Sequence, residues 1–137
     1  MIEWLADRGV TNYVLAFSSI LVFFTLVLAH EFGHYIAARI ARVHVEKFVI
    51  GLGKEIWWHK DRHGTRWSLS LLPLYGYVGL ARKSFSESRD NSFLAQSVWR
   101  KGLIVAAGPL ASFLFAFLLL FSFYLTIGRP VIISNAV

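Results

Sequence analysis

The stretch YVLAFSSILVFFTLVLAHEFGHYIAARIA, residues 13–41, decides the fold. Residues 13–29 carry no charge and are rich in Leu, Val and Phe, and the helical register continues through His30 to about Ala41. As one helix the segment would extend about 43 Å at roughly 1.5 Å per residue. The hydrocarbon core of a bilayer needs only about 30 Å, so the charged C-terminal turns are expected at its margin or inside a protein-lined cavity.

Working outward, a second block at 102–128 carries no formal charge, and only Gly108-Pro109 interrupts it as a helix. It too is long enough to span. The composition agrees: 56% of the 137 residues are hydrophobic and only 16% are charged, and the mean hydropathy is +0.56. Soluble domains carry roughly 25% charged residues. A secretory signal peptide is a poor account of the first block, because Glu3, Asp7 and a single Arg8 replace the expected positive leader and the apolar run is too long. Of the 14 Lys and Arg, all but Arg8 and Arg129 fall between Arg39 and Lys101. That asymmetry predicts a cytoplasmic connecting segment with both ends outside. The net charge of +6 belongs to this membrane-adjacent loop, and no basic helix or stacking platform accompanies it, so nucleic acid is excluded as a partner and the lipid bilayer is expected instead.

The connecting segment reads as a small antiparallel sheet. Runs at 43–50, 54–59, 65–72 and 75–80 are rich in Val, Ile, Trp and Tyr, and are separated by Gly51-Leu52-Gly53, Asp61-Arg62-His63-Gly64 and Pro73. Alternation of Trp67, Leu69 and Leu71 with Arg66, Ser68 and Ser70 predicts one greasy face on or in the membrane surface. The expected architecture is therefore membrane α-helical, two transmembrane helices joined by a cytoplasmic, membrane-associated β-hairpin loop. Its segments are an external N-terminus (1–12), a first span (13–41), a reentrant β-loop (42–82), a connector (83–101), a second span (102–128) and an external tail (129–137).

Chemistry concentrates at His30-Glu31-Phe32-Gly33-His34, the pattern HExxH. Residues four apart on a helix are stacked one turn above the other, so His30 and His34 can offer two imidazole nitrogens to one metal ion. Glu31, on the flank of that face, is positioned to take a proton from an attacking water and return it to a leaving amine. Zn2+ suits such ligands, and with no cysteine in the chain any metal must be held by His and carboxylate. Three ionisable side chains at membrane depth are costly, and such groups mark function. His59 and His63 repeat the spacing but bracket an apparent hairpin turn, where it does not place side chains on one face. His44 reads as a surface histidine. A bis-imidazole haem or metal carrier is disfavoured because His30 and His34 share a face. Gly108-Pro109 predicts a kink or a close helix contact among Ala106, Ala107, Ala111 and Ser112.

HExxH followed by Ala37-Ala38-Arg39 resembles the site-2 protease family (peptidase family M50) of intramembrane zinc metalloproteases, particularly its bacterial sigma-E-regulating branch. So do Phe48-Val49-Ile50-Gly51-Leu52-Gly53-Lys54, Pro73-Leu74-Tyr75-Gly76-Tyr77-Val78 and Val105-Ala106-Ala107-Gly108-Pro109-Leu110-Ala111, in order and with family-like spacing. The resemblance implies a multi-pass protein of the bacterial inner (plasma) membrane that cleaves transmembrane segments of membrane-protein substrates. His30 and His34 would bind zinc and Glu31 would activate water. Gly76, Tyr77 and Val78 match the edge that takes substrate as an extended strand, and Gly108, Pro109 and Ser112 match a further substrate-contacting stretch. Ser112 stands where the family often has Asn, and Tyr75 where many relatives have Gly. The family's third zinc ligand, an Asp in a later Leu-Asp-Gly motif, has no match, since no Asp or Glu follows Asp90, and a PDZ segment is missing. The chain is therefore expected to correspond to the N-terminal part of such a protease. The competing expectation is a catalytically inactive membrane protein that binds transmembrane partners through its β-loop.

Overall fold

The computed structural model describes residues 2–82 and 91–127. Four elements follow in order: α1 (Ile2–Ile40), β1 (Val45–Lys60), β2 (Arg66–Leu80) and α2 (Val98–Ile127). The expected tail 129–137, with Arg129, and the 83–90 half of the connector lie outside the described residues.

Both helices are longer than the apolar blocks that announce them. α1 begins at Ile2 instead of near residue 13. α2 begins at Val98, in the last turn of the connector, its first backbone bond running from Lys101 N–H to the Ser97 carbonyl. Within them, Gly9–Ile40 and Val98–Thr126 are long and apolar enough to cross a membrane. Their large side chains are broadly exposed, Phe17 at 70% and Phe113 at 75%.

α1 stops by a Schellman closure. Arg42 takes the left-handed conformation (φ 61°), Val43 N–H donates to Ala38 O, and Arg42 N–H donates to Arg39 O. Val43 and Ala38 are both buried, which supplies the apolar contact that accompanies this motif. The reversal sends β1 back alongside the helix that has just ended.

The four short runs form two long bent strands. Gly51 and Gly53 take positive φ (98° and 94°), so β1 turns without ending. β1 pairs antiparallel with β2 twice over: 45–50 with 76–80, through pairs such as Phe48–Val78, and 55–60 with 66–70, through pairs such as Trp58–Ser68. Phe48 is also matched with Trp67 and Val49 with Ser68, an inner pairing whose two segments advance together. The segments therefore lie side by side as 55–60, 66–70, 45–50 and 76–80, and 76–80 has a strand on one flank only among the described residues. This placement sets which face of 66–70 is covered. Ser68 and Ser70 are buried because the segment is internal, with Ser68 flanked by Trp58 and Val49, and it is Leu71 that is exposed.

Two clusters fix the sheet on the helices. Ala37, Ala38, Ala41, Val43, Val45 and Ile104 form the buried core where α1, the start of β1 and α2 meet. Phe32 and Tyr35 of α1 pack edge-on against a stacked Phe48–Trp67 pair, whose centroids are 4.5 Å apart. At Gly33 the helices cross so closely that an added Cβ would overlap the Ala107 carbonyl and sit 2.7 Å from Ala111 Cβ.

Candidate metal centre

HExxH occupies the third-last and second-last turns of α1, facing α2. The Nε2 atoms of His30 and His34 are 3.2 Å apart, with the rings edge-on at 78°. His34 Nδ1 donates to the Ile104 carbonyl at 2.8 Å. A carbonyl oxygen can only accept, so the proton sits on Nδ1 and the Nε2 lone pair faces His30. His30 Nδ1 lies 3.1 Å from Ser112 Oγ.

This donor set fits zinc. With bonds of about 2.0–2.1 Å, two nitrogens at tetrahedral corners stand roughly 3.3 Å apart, close to the separation the helix provides. Two of the usual ligands are present, and no group of three or more His, Cys, Asp or Glu suited to a metal occurs among the described residues.

Gly108 makes the arrangement possible. A Cβ there would overlap His34 Nε2 and lie 2.8 Å from His30 Nε2, so only glycine lets the α2 backbone pass under both rings. Pro109 is exposed inside α2 and withholds the N–H that would otherwise bond to the Val105 carbonyl. It lines neither cavity at Glu31, whereas Ser112 lines one of them.

Glu31 stands between those two cavities. One, of about 310 Å³, is bounded by Leu26, Val27, Leu74 and Tyr75. The other, of about 390 Å³, is bounded by Tyr77, Val78, Phe93 and Ile104. Gly76 borders both, so close to Glu31 that an added Cβ would overlap Cγ and lie 2.9 Å from Oε1. The edge segment 76–78 thus runs past the carboxylate with open space on either side. The structure brings His30, Glu31, His34, Gly76, Tyr77, Val78, Gly108 and Ser112 into one region. Ile104 and Phe93 belong to it as well and were not anticipated: Ile104 acts through a backbone oxygen that residue type does not report, and Phe93 is held by its N–H bond to Ala81 O.

The second histidine pair lies on the hairpin. The His59 ring is parallel to that of Trp57, 6.2 Å away, while His63 sits in a turn closed by Asp61, whose Oδ1 accepts from the His63 and Thr65 amides at 2.8 and 3.0 Å. Partial burial works to raise the Asp61 pKa, but the Trp67 indole, the two amides and the His63 ring outweigh it and hold the carboxyl below the ordinary carboxylate range. His44 lines a separate cavity with Glu46, Trp58 and Lys60.

Helix pair, HExxH turn and adjoining strand edge are the features of a metallopeptidase core, and the comparisons agree: residues 18–135 match Peptidase family M50, so the chain belongs to that family. It is 41% identical over 111 residues to the regulator of sigma-E protease RseP of Salmonella typhimurium, covering 77% of this chain and 24% of that protein. The figures are the same for RseP of Escherichia coli. A Rickettsia conorii protein named as a zinc metalloprotease is 42% identical over 122 residues, covering 82% of this chain and 34% of its own length. The chain thus spans about a quarter to a third of the relatives it matches.

Proposed function

We propose that this chain carries the base and two zinc ligands of an intramembrane metalloendopeptidase that cleaves transmembrane segments of membrane proteins, in regulated intramembrane proteolysis. The observation that carries the reading is the pair of Nε2 atoms 3.2 Å apart with Glu31 between them and the edge at Gly76. His30 and His34 would hold Zn2+, which when bound polarises a carbonyl and makes water a nucleophile near neutral pH. The Glu31 carboxylate accepts the proton of the attacking water and delivers it to the leaving amine. Gly76, Tyr77 and Val78 take the unwound substrate as an added strand, its main chain bonding to a free edge while its side chains enter the cavities beside Glu31. Gly108 and Ser112 close the opposite wall, with Pro109 loosening the α2 backbone there. The two helices cross a bilayer, the bacterial inner membrane as the family resemblance implies, with 42–100 on the cytoplasmic side.

Glu31→Gln tests the reading. It keeps the shape and removes the base, so cleavage of a membrane-embedded reporter is expected to fall at least about a hundredfold while zinc stays bound. Cleavage at the parental rate would refute Glu31 as base. A chain that captures transmembrane partners yet shows no cleavage for Glu31→Gln to remove would favour the inactive binding protein.

A further inference from the structure

Ile104 settles the proton of His34 with an atom that can only accept. His30 is held instead by a hydroxyl, which can donate or accept. Ser112 Oγ lies 3.1 Å from His30 Nδ1 and donates to the Gly108 carbonyl one turn back at 3.3 Å. A hydroxyl has one proton. Given to Gly108, it leaves only lone pairs toward His30, and Nδ1 must then carry its own hydrogen. The proton order is fixed from the carbonyl outward: Nδ1–H to Oγ, Oγ–H to Gly108 O.

We propose that Ser112 is a positioning residue for His30. By accepting from Nδ1–H it fixes the tautomer and rotation of the ring, so that the Nε2 lone pair points where the Nε2 of His34 points. Ile104, Gly108 and Ser112 recur every four residues and so share one face of α2. α1 supplies both metal-facing nitrogens, and this face of α2 sets which nitrogens carry the protons. Without the hydroxyl, His30 Nδ1 loses its acceptor. The ring is then free to place its proton on Nε2 and donate to His34 across 3.2 Å, which removes a ligand by making a hydrogen bond of it. The inference rests on the metalloprotease reading and gives Ser112 a part separate from substrate contact.

The test compares the full-length protein that carries this chain, as parent, with its Ser112→Ala and Ser112→Thr variants, all purified in detergent, by chelator competition for Zn2+, by the visible spectrum after loading with Co2+, and by KM and kcat at saturating zinc. Ser112→Ala is expected to bind zinc about 10–100-fold more weakly, the usual loss for an outer partner of a metal ligand. Its cobalt spectrum should change, while its metal-free melting temperature stays at the parental value. Ser112→Thr keeps the hydroxyl and should retain affinity within about threefold. Parental affinity in Ser112→Ala, or a raised KM with affinity intact, overturns the inference and makes Ser112 a substrate contact or a bystander. A Thr variant as weak as Ala, or a metal-free melting temperature that falls with affinity, assigns the loss to packing and overturns it too. A parent with no measurable zinc affinity overturns the inference together with the metalloprotease reading.

Discussion

Two histidine pairs in this chain share a spacing of four and nothing else. On α1, His30 and His34 bring their Nε2 atoms to 3.2 Å. On the hairpin, His59 lies along Trp57 while His63 sits in a turn organised by Asp61. The spacing acquires chemical meaning only from the backbone that carries it, since a helix returns to the same face after about 3.6 residues and a hairpin reverses direction instead. The second difference is the neighbour: α2 presses a carbonyl, a hydroxyl and a bare glycine backbone against the first pair, whereas the second is met by the hairpin itself, His59 by Trp57 and the Trp67 strand and His63 by the Asp61 turn.

The largest contrast is between His34→Ala and His63→Ala. The first should lose zinc and cleavage together, and the second should match the parent within about twofold, as surface substitutions do. Metal content and reporter cleavage, measured on both, would dissolve the distinction if His63→Ala lost zinc. Next comes a pair of glycines on α2. Gly102 has nothing within 4 Å of an added Cβ, while Gly108 meets both imidazoles. Gly102→Ala should therefore stabilise the helix by about 1 kcal/mol, the ordinary propensity gain. Gly108→Ala should instead cost about tenfold or more in zinc affinity, the scale of a disturbed ligand shell; zinc titration and thermal melts on the two variants read the opposite signs. At the sheet edge, Val78→Pro deletes a backbone donor and Val78→Ala does not, so proline should slow cleavage on the order of tenfold more, with zinc content unchanged. Equal rates would remove strand addition from the mechanism.

The smallest effect concerns the hairpin alone. Because the Asp61 pKa is lowered, its stabilising contribution is complete above about pH 4, the ordinary Asp range, and is lost as pH falls through the lower folded value. Trp67 fluorescence, followed from pH 6 downward, should report the hairpin loosening at the acid end, and Asp61→Ala should flatten that response while zinc binding at neutral pH is untouched.

The two long apolar helices, HExxH and the 61–64 turn were legible because each is written in side chains: uncharged runs, a four-residue spacing, an Asp before a Gly. The sheet was legible only as runs. That β1 and β2 each pair along two halves depends on Gly51 and Gly53 bending a strand that a sequence scan takes to end there. The buried serines followed from which segment became internal, a property of the topology. The start of α1 was missed because residues 2–12 are not an apolar run, yet they hold no proline to stop the helix. At the centre itself, the nitrogens could be named from the sequence, but the oxygen of Ile104 that orients one of them could not.

The reversal at Arg42 makes the molecule a vernier. Glu31 lies nine residues before the end of α1 at Ile40, a descent of about 13 Å at roughly 1.5 Å per residue. Ile50, the partner of Gly76, lies five residues into β1 from Val45, a return of about 16 Å at roughly 3.3 Å per residue. The coarse scale of the strand and the fine scale of the helix thus coincide near one rung, and that rung is where a glycine meets the carboxylate. A residue added to β1 would carry the edge past Glu31 by about 3 Å and turn its side chains over, while the same insertion early in α1 would leave the alignment as it was. On the proposed reading, the length of one short strand segment would set which bond of an incoming chain rests beside Glu31.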